Sequence, residues 1–190
     1  MTEYVRFERI EKVVNDWIHA ASTCIKEGMK KMALRKIRTQ GDSVLRKPCR
    51  PITEVKPRIR ALIEDMFETM YAANGVGLAA PQVGVLKRIV VIDIGEDNPV
   101  CMINPEIIES SGEQTGDEGC LSVPGKVGTV TRPNYVKARY FDEDMDECVV
   151  EAEGLFARAI SHELDHLDGH MYTEIAQGPL RDVEYEDEDE

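Results

Sequence analysis

Apolar residues recur along this chain with two different periods. Phe7, Ile10, Val14, Trp17, Ala21 and Cys24 fall at alternating spacings of three and four, which lays one apolar stripe along a helix. Gly28 can end that helix, and Lys30 and Lys31 follow it. Residues 1–31 therefore read as an N-terminal helical extension that packs on the body or on a neighbouring chain, the other reading being a misassigned start, since Met32 opens a self-contained segment. Ile59, Leu62, Ile63, Met66, Phe67 and Met70 repeat the helical period behind Pro57, whose missing N–H costs nothing in a first turn. Asn74-Gly75 supplies the stop. The period then shortens. "RIVVIDI" (88–94) is a β-branched run expected to form a buried strand. "CMINPEIIES" reads as two short extended pieces broken at Pro105. "YVKARYF" (135–141) and "ECVVEAE" (147–153) flank an acidic turn and predict a hairpin. Gly154 separates the hairpin from a last strong helix, expected to run to about Leu167 and to end at Gly169. This order of helix, short strands, hairpin and helix favours an α+β fold over a doubly wound parallel sheet.

Composition narrows the function. With 190 residues and 42% hydrophobic content, the chain suits one domain with additions. Its formal net charge of −13, from 23 basic and 36 acidic residues, argues against binding DNA or other nucleic acid without regard to sequence. Part of that charge is local, because seven of the nine residues from Asp182 to Glu190 are acidic. The expected division is a catalytic domain over 32–176 and an acidic tail over 177–190. No apolar run approaches the roughly 18 residues needed to span a membrane. The N-terminus carries Glu3, Glu8, Glu11 and Asp16 and lacks the pattern of a secretory or organellar leader. Five scattered cysteines, an odd number, read as reduced thiols. Together these features point to a cytoplasmic protein with no membrane contact, and they leave the oligomeric state open.

The candidate chemistry lies in "SHELDHLDG" (161–169). On a helix, His162 and His166 lie one above the other, about 5–6 Å apart at Cβ, and can chelate one ion. Glu163 projects about 100° further round, near enough to reach a water on that ion. Leu155, Phe156, Ala159, Ile160 and Leu164 make the helix substantially buried, so its polar residues need partners. Core histidines are often merely hydrogen-bonded, but two at this spacing with this glutamate favour a metal. Asp165 points elsewhere and is expected to orient another group, and His170 is expected at the surface. A catalytic site usually has a third protein ligand. Glu174 is one candidate for it, and Cys120 in "GDEGCLSVPG" is another.

"GVGLAAPQVG" (75–84) superficially matches a dinucleotide fingerprint, but it follows a helix rather than a strand, and Pro81 interrupts the phosphate-binding position. A loop whose backbone approaches a substrate fits better. Gln82 there offers a neutral amide donor suited to a developing oxyanion.

"GVGLAAPQ", "EGCLS" and "HELDH", in this order and at these separations, resemble the three signature motifs of peptide deformylases. The resemblance covers roughly residues 32–175. It implies antiparallel sheets packed around a central helix carrying the HExxH motif. It also implies hydrolysis of the N-formyl group from the N-terminal formylmethionine of nascent polypeptides, releasing formate. By position, Cys120, His162 and His166 match the metal ligands and Glu163 the catalytic glutamate. Gln82 and the Leu121 N–H match the groups on the formyl oxygen. Val76 and Gly77 match substrate-binding positions, and Glu118 matches the acid beside the ligands. The cofactor so implied is one divalent ion, Fe2+ in vivo, with Zn2+, Ni2+ or Co2+ able to substitute; the donor set does not choose among these. The implied partners are formylated nascent peptides, with a transient ribosome contact. A zinc endopeptidase sharing HExxH, and a structural metal-binding module using the N-terminal helix, are the competing readings.

Overall fold

The computed structural model describes residues 33–95 and 99–183. The expected N-terminal helix over 1–31 and the acidic run at 184–190 lie outside the described residues.

Two helices sandwich one sheet. Helix α1 (Pro57–Ala72) begins at Pro57 and buries Leu62, Ile63, Met66 and Met70. Its end follows from Asn74, which takes a left-handed φ of 52°. That conformation lets the Gly75 N–H donate to the Met70 carbonyl at 2.9 Å and the Asn74 N–H to that of Tyr71 at 3.0 Å, so the last carbonyls are satisfied. Helix α2 (Gly154–Asp168) carries HExxH and ends the same way at Gly169, with φ 84°. A side chain at Gly169 would meet the Arg46 backbone at 2.9 Å, so space as well as conformation demands glycine there.

Strands β1 (Gly77–Ala79), β2 (Ile89–Ile92), β3 (Val100–Ser111), β6 (Tyr135–Phe141) and β7 (Glu147–Glu153) form one antiparallel sheet in the order β1-β2-β3-β6-β7. Every residue of β2 is buried. Val90 and Ile92 pack with Ala157, Ile160, Leu164 and Leu167 of α2. Ile89 and Val91 face α1 through Leu62, Ile63, Met66 and Met70. A strand covered on both faces reads as a continuous apolar run rather than an alternation, which is how "IVVI" appears in the sequence. The β6–β7 hairpin closes over the expected acidic turn. There, Asp142 Oδ1 accepts from the N–H groups of Asp144 at 2.8 Å and Asp146 at 3.0 Å.

A second sheet, β4-β5-β8, joins β4 (Gln114–Gly119), β5 (Lys126–Arg132) and β8 (Gln177–Asp182). The architecture is therefore the α+β class expected, with antiparallel sheets packed around the motif helix. Two local expectations need correction. Pro105 does not break β3 into two pieces. The register shifts between Ile103 and Glu106, and Asn104 turns to a φ of 50°. Its side chain bonds the Ile52 N–H at 2.8 Å and the Ile52 carbonyl at 2.7 Å, so a bulge absorbs the missing proline donor. The expected tail boundary at 177 also falls too early. Residues 177–182 pair with β5, and the Lys126 ammonium meets Asp182 at 2.6 Å. Among the described residues no helix is long and apolar enough to cross a membrane.

Candidate metal centre

Helix α2 presents His162 and His166 from consecutive turns, with ring centroids 4.9 Å apart. The turn after β4 brings Cys120 against them. The donor atoms of Cys120, His162 and His166 all lie within 4.8 Å of one another, with Cys120 Sγ 3.1 Å from His166 Nε2. Of the two candidates for a third ligand, the fold supplies Cys120. Glu174 instead pairs with Arg46 and stands 3.2 Å from His170, an exposed residue as expected.

The surroundings determine how each ligand can act. His162 Nδ1 donates to Glu118 Oε1 at 2.6 Å, which fixes the ring and leaves Nε2 for an ion. Glu118 in turn accepts from Arg132 through Nε at 3.1 Å and Nη2 at 2.8 Å, and from Arg158 Nη1 at 3.0 Å. Burial alone would raise the Glu118 carboxyl, but its bonds from His162 and Arg132 outweigh burial and hold it at about 2. Arg132 reaches Asp165 at 2.6 Å, so Asp165 does orient another group.

Burial also opposes a charge on His162, yet the bonds to Cys120 and Glu118 prevail and raise its pKa well above the usual imidazole range. A cation at Nε2 would take the place of that proton. Burial, reinforced by the charge of His162, pushes His166 down to about 3, which suits a neutral ligand. Cys120 Sγ accepts from the Ser122 N–H at 3.4 Å and from the Gln82 amide nitrogen at 3.6 Å, so two donors help to position the sulfur. Two imidazoles and one cysteine sulfur converge, with Glu118 behind His162 and the buried His166 Nδ1 without a partner among the described residues, a donor set that fits a single divalent ion.

Glu163 sits beside this cluster and is 4% exposed. Burial pushes its carboxyl up to about 7, and its Oε2 is buried without a partner among the described residues. Gly77 on the edge strand β1 makes room for it, because a Cβ there would stand 2.4 Å from Glu163 Oε1. Gln82 is held by its own carbonyl oxygen, which accepts from the Ala79 N–H at 2.8 Å, while its amide donates to Ser122 Oγ at 3.1 Å. Leu121, next to Cys120, has an N–H that meets no backbone acceptor among the described residues. Val76 lies at the mouth, 44% exposed. A cavity of about 550 Å³ takes in Val76, Gly77, Gln82, Glu118, Cys120, Leu121, His162 and Glu163, so these residues share one wall system. His166 is not among the lining residues.

Arg132 and Arg158 went unnoticed in the sequence, although each left a signal. Arg132 shares the inward face of β5 with Gly128 and Val130 at a spacing of two. Arg158 lies one turn before His162 on a buried face. A cation at an inward position needs an anion to meet it, and Glu118 is that anion.

Known proteins share the sequence and fold of this chain. The sequence model of the polypeptide deformylase family matches residues 34–181. A peptide deformylase of Agathobacter rectalis is 71% identical over 159 residues, which span 84% of this chain and all of that protein. The crystal structure of a peptide deformylase from Thermotoga maritima superposes with a TM-score of 0.74 at 40% identity, covering 77% of this chain and 99% of the other. A class I type b peptide deformylase from Acinetobacter baumannii, crystallised with Met-Ala-Ser bound, gives a TM-score of 0.73 at 33% identity over 76% and 99%. With a matching sequence, a matching fold and a converging Cys-His-His cluster, this chain belongs to the peptide deformylases, metal-dependent enzymes that remove the formyl group from the N-terminal formylmethionine of nascent polypeptides.

Proposed function

We propose that Cys120, His162 and His166 hold one divalent ion, ferrous iron in the cell, and that Glu163, Gln82 and Leu121 carry out the deformylation around it. The observation that carries this reading is the convergence of the three donor atoms within 4.8 Å, beside a buried carboxylate oxygen that has no other partner. An ion held there would supply a water acidified from about 16 toward ~7 and a Lewis acid for the carbonyl oxygen. Glu163, with a pKa brought to about 7, accepts a proton from that water and returns it to the leaving amine nitrogen. The Gln82 amide and the Leu121 N–H donate to the formyl oxygen as charge grows on it, each contributing about 3–4 kcal/mol where aligned. β1 ends its sheet, so the substrate backbone can run along the free edge at Gly77, with Val76 beside the first side chain. Formate and a free methionine amine leave. The Met-Ala-Ser bound to the Acinetobacter baumannii relative is such a deformylated tripeptide.

Formate release from formyl-Met-Ala-Ser by protein purified without oxygen tests the whole reading. Chelation should abolish release, and ferrous iron should restore it. Metal-loaded protein that releases no formate would redirect the search to peptide-bond cleavage. Air should inactivate the ferrous form as Cys120 oxidises.

Gly77→Ala should lower kcat/KM by about 100-fold with metal still bound, because a displacement of about 1 Å at a catalytic group costs that much. Its Cβ must push Glu163 out of line. Unchanged kinetics would show that Glu163 need not stand where it does.

The same substrate supports a cytoplasmic location, and the acidic C-terminal residues oppose close contact with ribosomal RNA. Ribosome contact is therefore transient, and tight, salt-insensitive co-sedimentation would overturn that expectation.

A further inference from the structure

Four cavity-lining residues of α2, Leu155, Arg158, Ala159 and His162, fall on one stripe of the helix. Moving outward from the metal ligand, the wall is small and apolar at Ala159, cationic at Arg158 and apolar again at the exposed Leu155. Arg158 is one turn from His162, about 6 Å along the axis. Arg158 lines the same cavity as His162 and reaches Glu118, the partner of His162, so its guanidinium borders the space that the first side chain of a substrate would enter.

That guanidinium has donors to spare. Of its five N–H groups, Nη1 donates to Glu118 Oε2 at 3.0 Å and the Val130 carbonyl at 3.2 Å, and Nη2 donates once, to the Gln114 carbonyl at 3.3 Å. Nε–H and the second hydrogen on Nη2 meet no acceptor among the described residues. Nor is Nε among the buried atoms that lack a partner, so it keeps an open side. Arg132 and Arg158 are already set against Glu118 and Asp165, and His162 bonds Glu118 as well. The spare donors therefore suit a neutral acceptor, since a further carboxylate would pay desolvation without a free countercharge.

We propose that Arg158 makes the far end of this pocket a hydrogen-bond donor, so that the enzyme also deformylates peptides whose first residue is methionine sulfoxide. The sulfoxide has the length of methionine plus one strongly accepting oxygen, and it is the first oxidation product of that side chain. The reaction is the same hydrolysis. The formyl C–N bond breaks, water supplies the oxygen that leaves in formate and the proton that stays on the amine, and the sulfoxide is unchanged. The inference rests on the deformylase reading and extends its substrate class to oxidised initiator residues.

The test compares kcat/KM for formyl-Met-Ala-Ser, formyl-methionine-sulfoxide-Ala-Ser and formyl-norleucine-Ala-Ser in the metal-loaded wild type and in Arg158→Leu. In the wild type the sulfoxide peptide is expected within about 10-fold of the methionine peptide, whereas an apolar pocket rejects an added polar atom by about 100-fold. In Arg158→Leu the ratio of sulfoxide to norleucine should fall at least tenfold, whatever the variant loses on both through a loosened Glu118. A wild type that cleaves the methionine peptide but discriminates 100-fold against the sulfoxide overturns the inference and leaves the deformylase reading intact. Equal losses on both peptides in Arg158→Leu overturn it too, and reduce Arg158 to a support for Glu118. Absence of formate from every peptide would instead sink the deformylase reading itself.

Discussion

Glu163→Gln is expected to lower kcat/KM for formyl-Met-Ala-Ser by about 100- to 10,000-fold, the range that a positioned general base contributes, with metal content unchanged. Glutamine keeps the volume of the side chain, so Gly77 still clears it, but an amide nitrogen cannot take the proton from water. The fold should not suffer. Burial raises the Glu163 carboxyl to about 7 and leaves Oε2 without a partner, so the ionised side chain opposes folding in the metal-free protein. The metal-free variant should melt no lower than metal-free wild type. Metal analysis beside the kinetics makes the result decisive. If the metal is lost along with activity, Glu163 is a ligand rather than a base. If activity persists, proton transfer runs through another group.

The sequence showed most of this site because its chemistry is local. His162, Glu163 and His166 share one helix, and helical geometry alone places them together. Cys120 arrives from 42 positions upstream of His162, and no periodicity links a β-turn to a helix face. The residues themselves left Cys120 and Glu174 both open, and motif resemblance favoured Cys120. The fold brings Cys120 to the two histidines by pairing β4 with β5 and turning the chain back there. The same limit explains β3. A proline at 105 signals a break when strands are read singly, but the neighbouring Ile52 backbone satisfies the bulge from a distance of 52 residues in sequence. It also explains β8. The acidic bias after Asp182 coloured the reading of the six residues before it, whose partner strand lies some 50 residues earlier. The two buried arginines were hidden for a related reason. Periodicity marks which face a residue takes, but a cation on an inward face makes sense only once the carboxylate that meets it is known.

Cys120→Ala separates the metal site from the core around it. Removing the sulfur leaves two histidines, and neither Glu174 nor His170 can replace it, since those two face each other and Arg46. The affinity for the ion should fall further than the roughly 10- to 100-fold that losing an outer partner costs. After dialysis the variant should hold little metal and release little formate. Arg132→Met is the graded comparison. It breaks the grip on Glu118 and should weaken the ion within that 10- to 100-fold range, though the orphaned carboxylate should also lower stability. For Cys120 the stability readout points the other way. The helix that carries both histidines is anchored by Ala157, Ile160, Leu164 and Leu167 in the sheet, contacts that need no metal. Metal-free Cys120→Ala should therefore melt close to metal-free wild type, and holo wild type above both by the binding term. A variant that keeps its ion and its activity would remove Cys120 from the ligand set and return the endopeptidase reading to consideration. One that melts far below metal-free wild type would make Cys120 a packing residue first. Ion and activity lost together, with the fold intact, would leave the thiolate one role, as the third ligand from the β4–β5 turn.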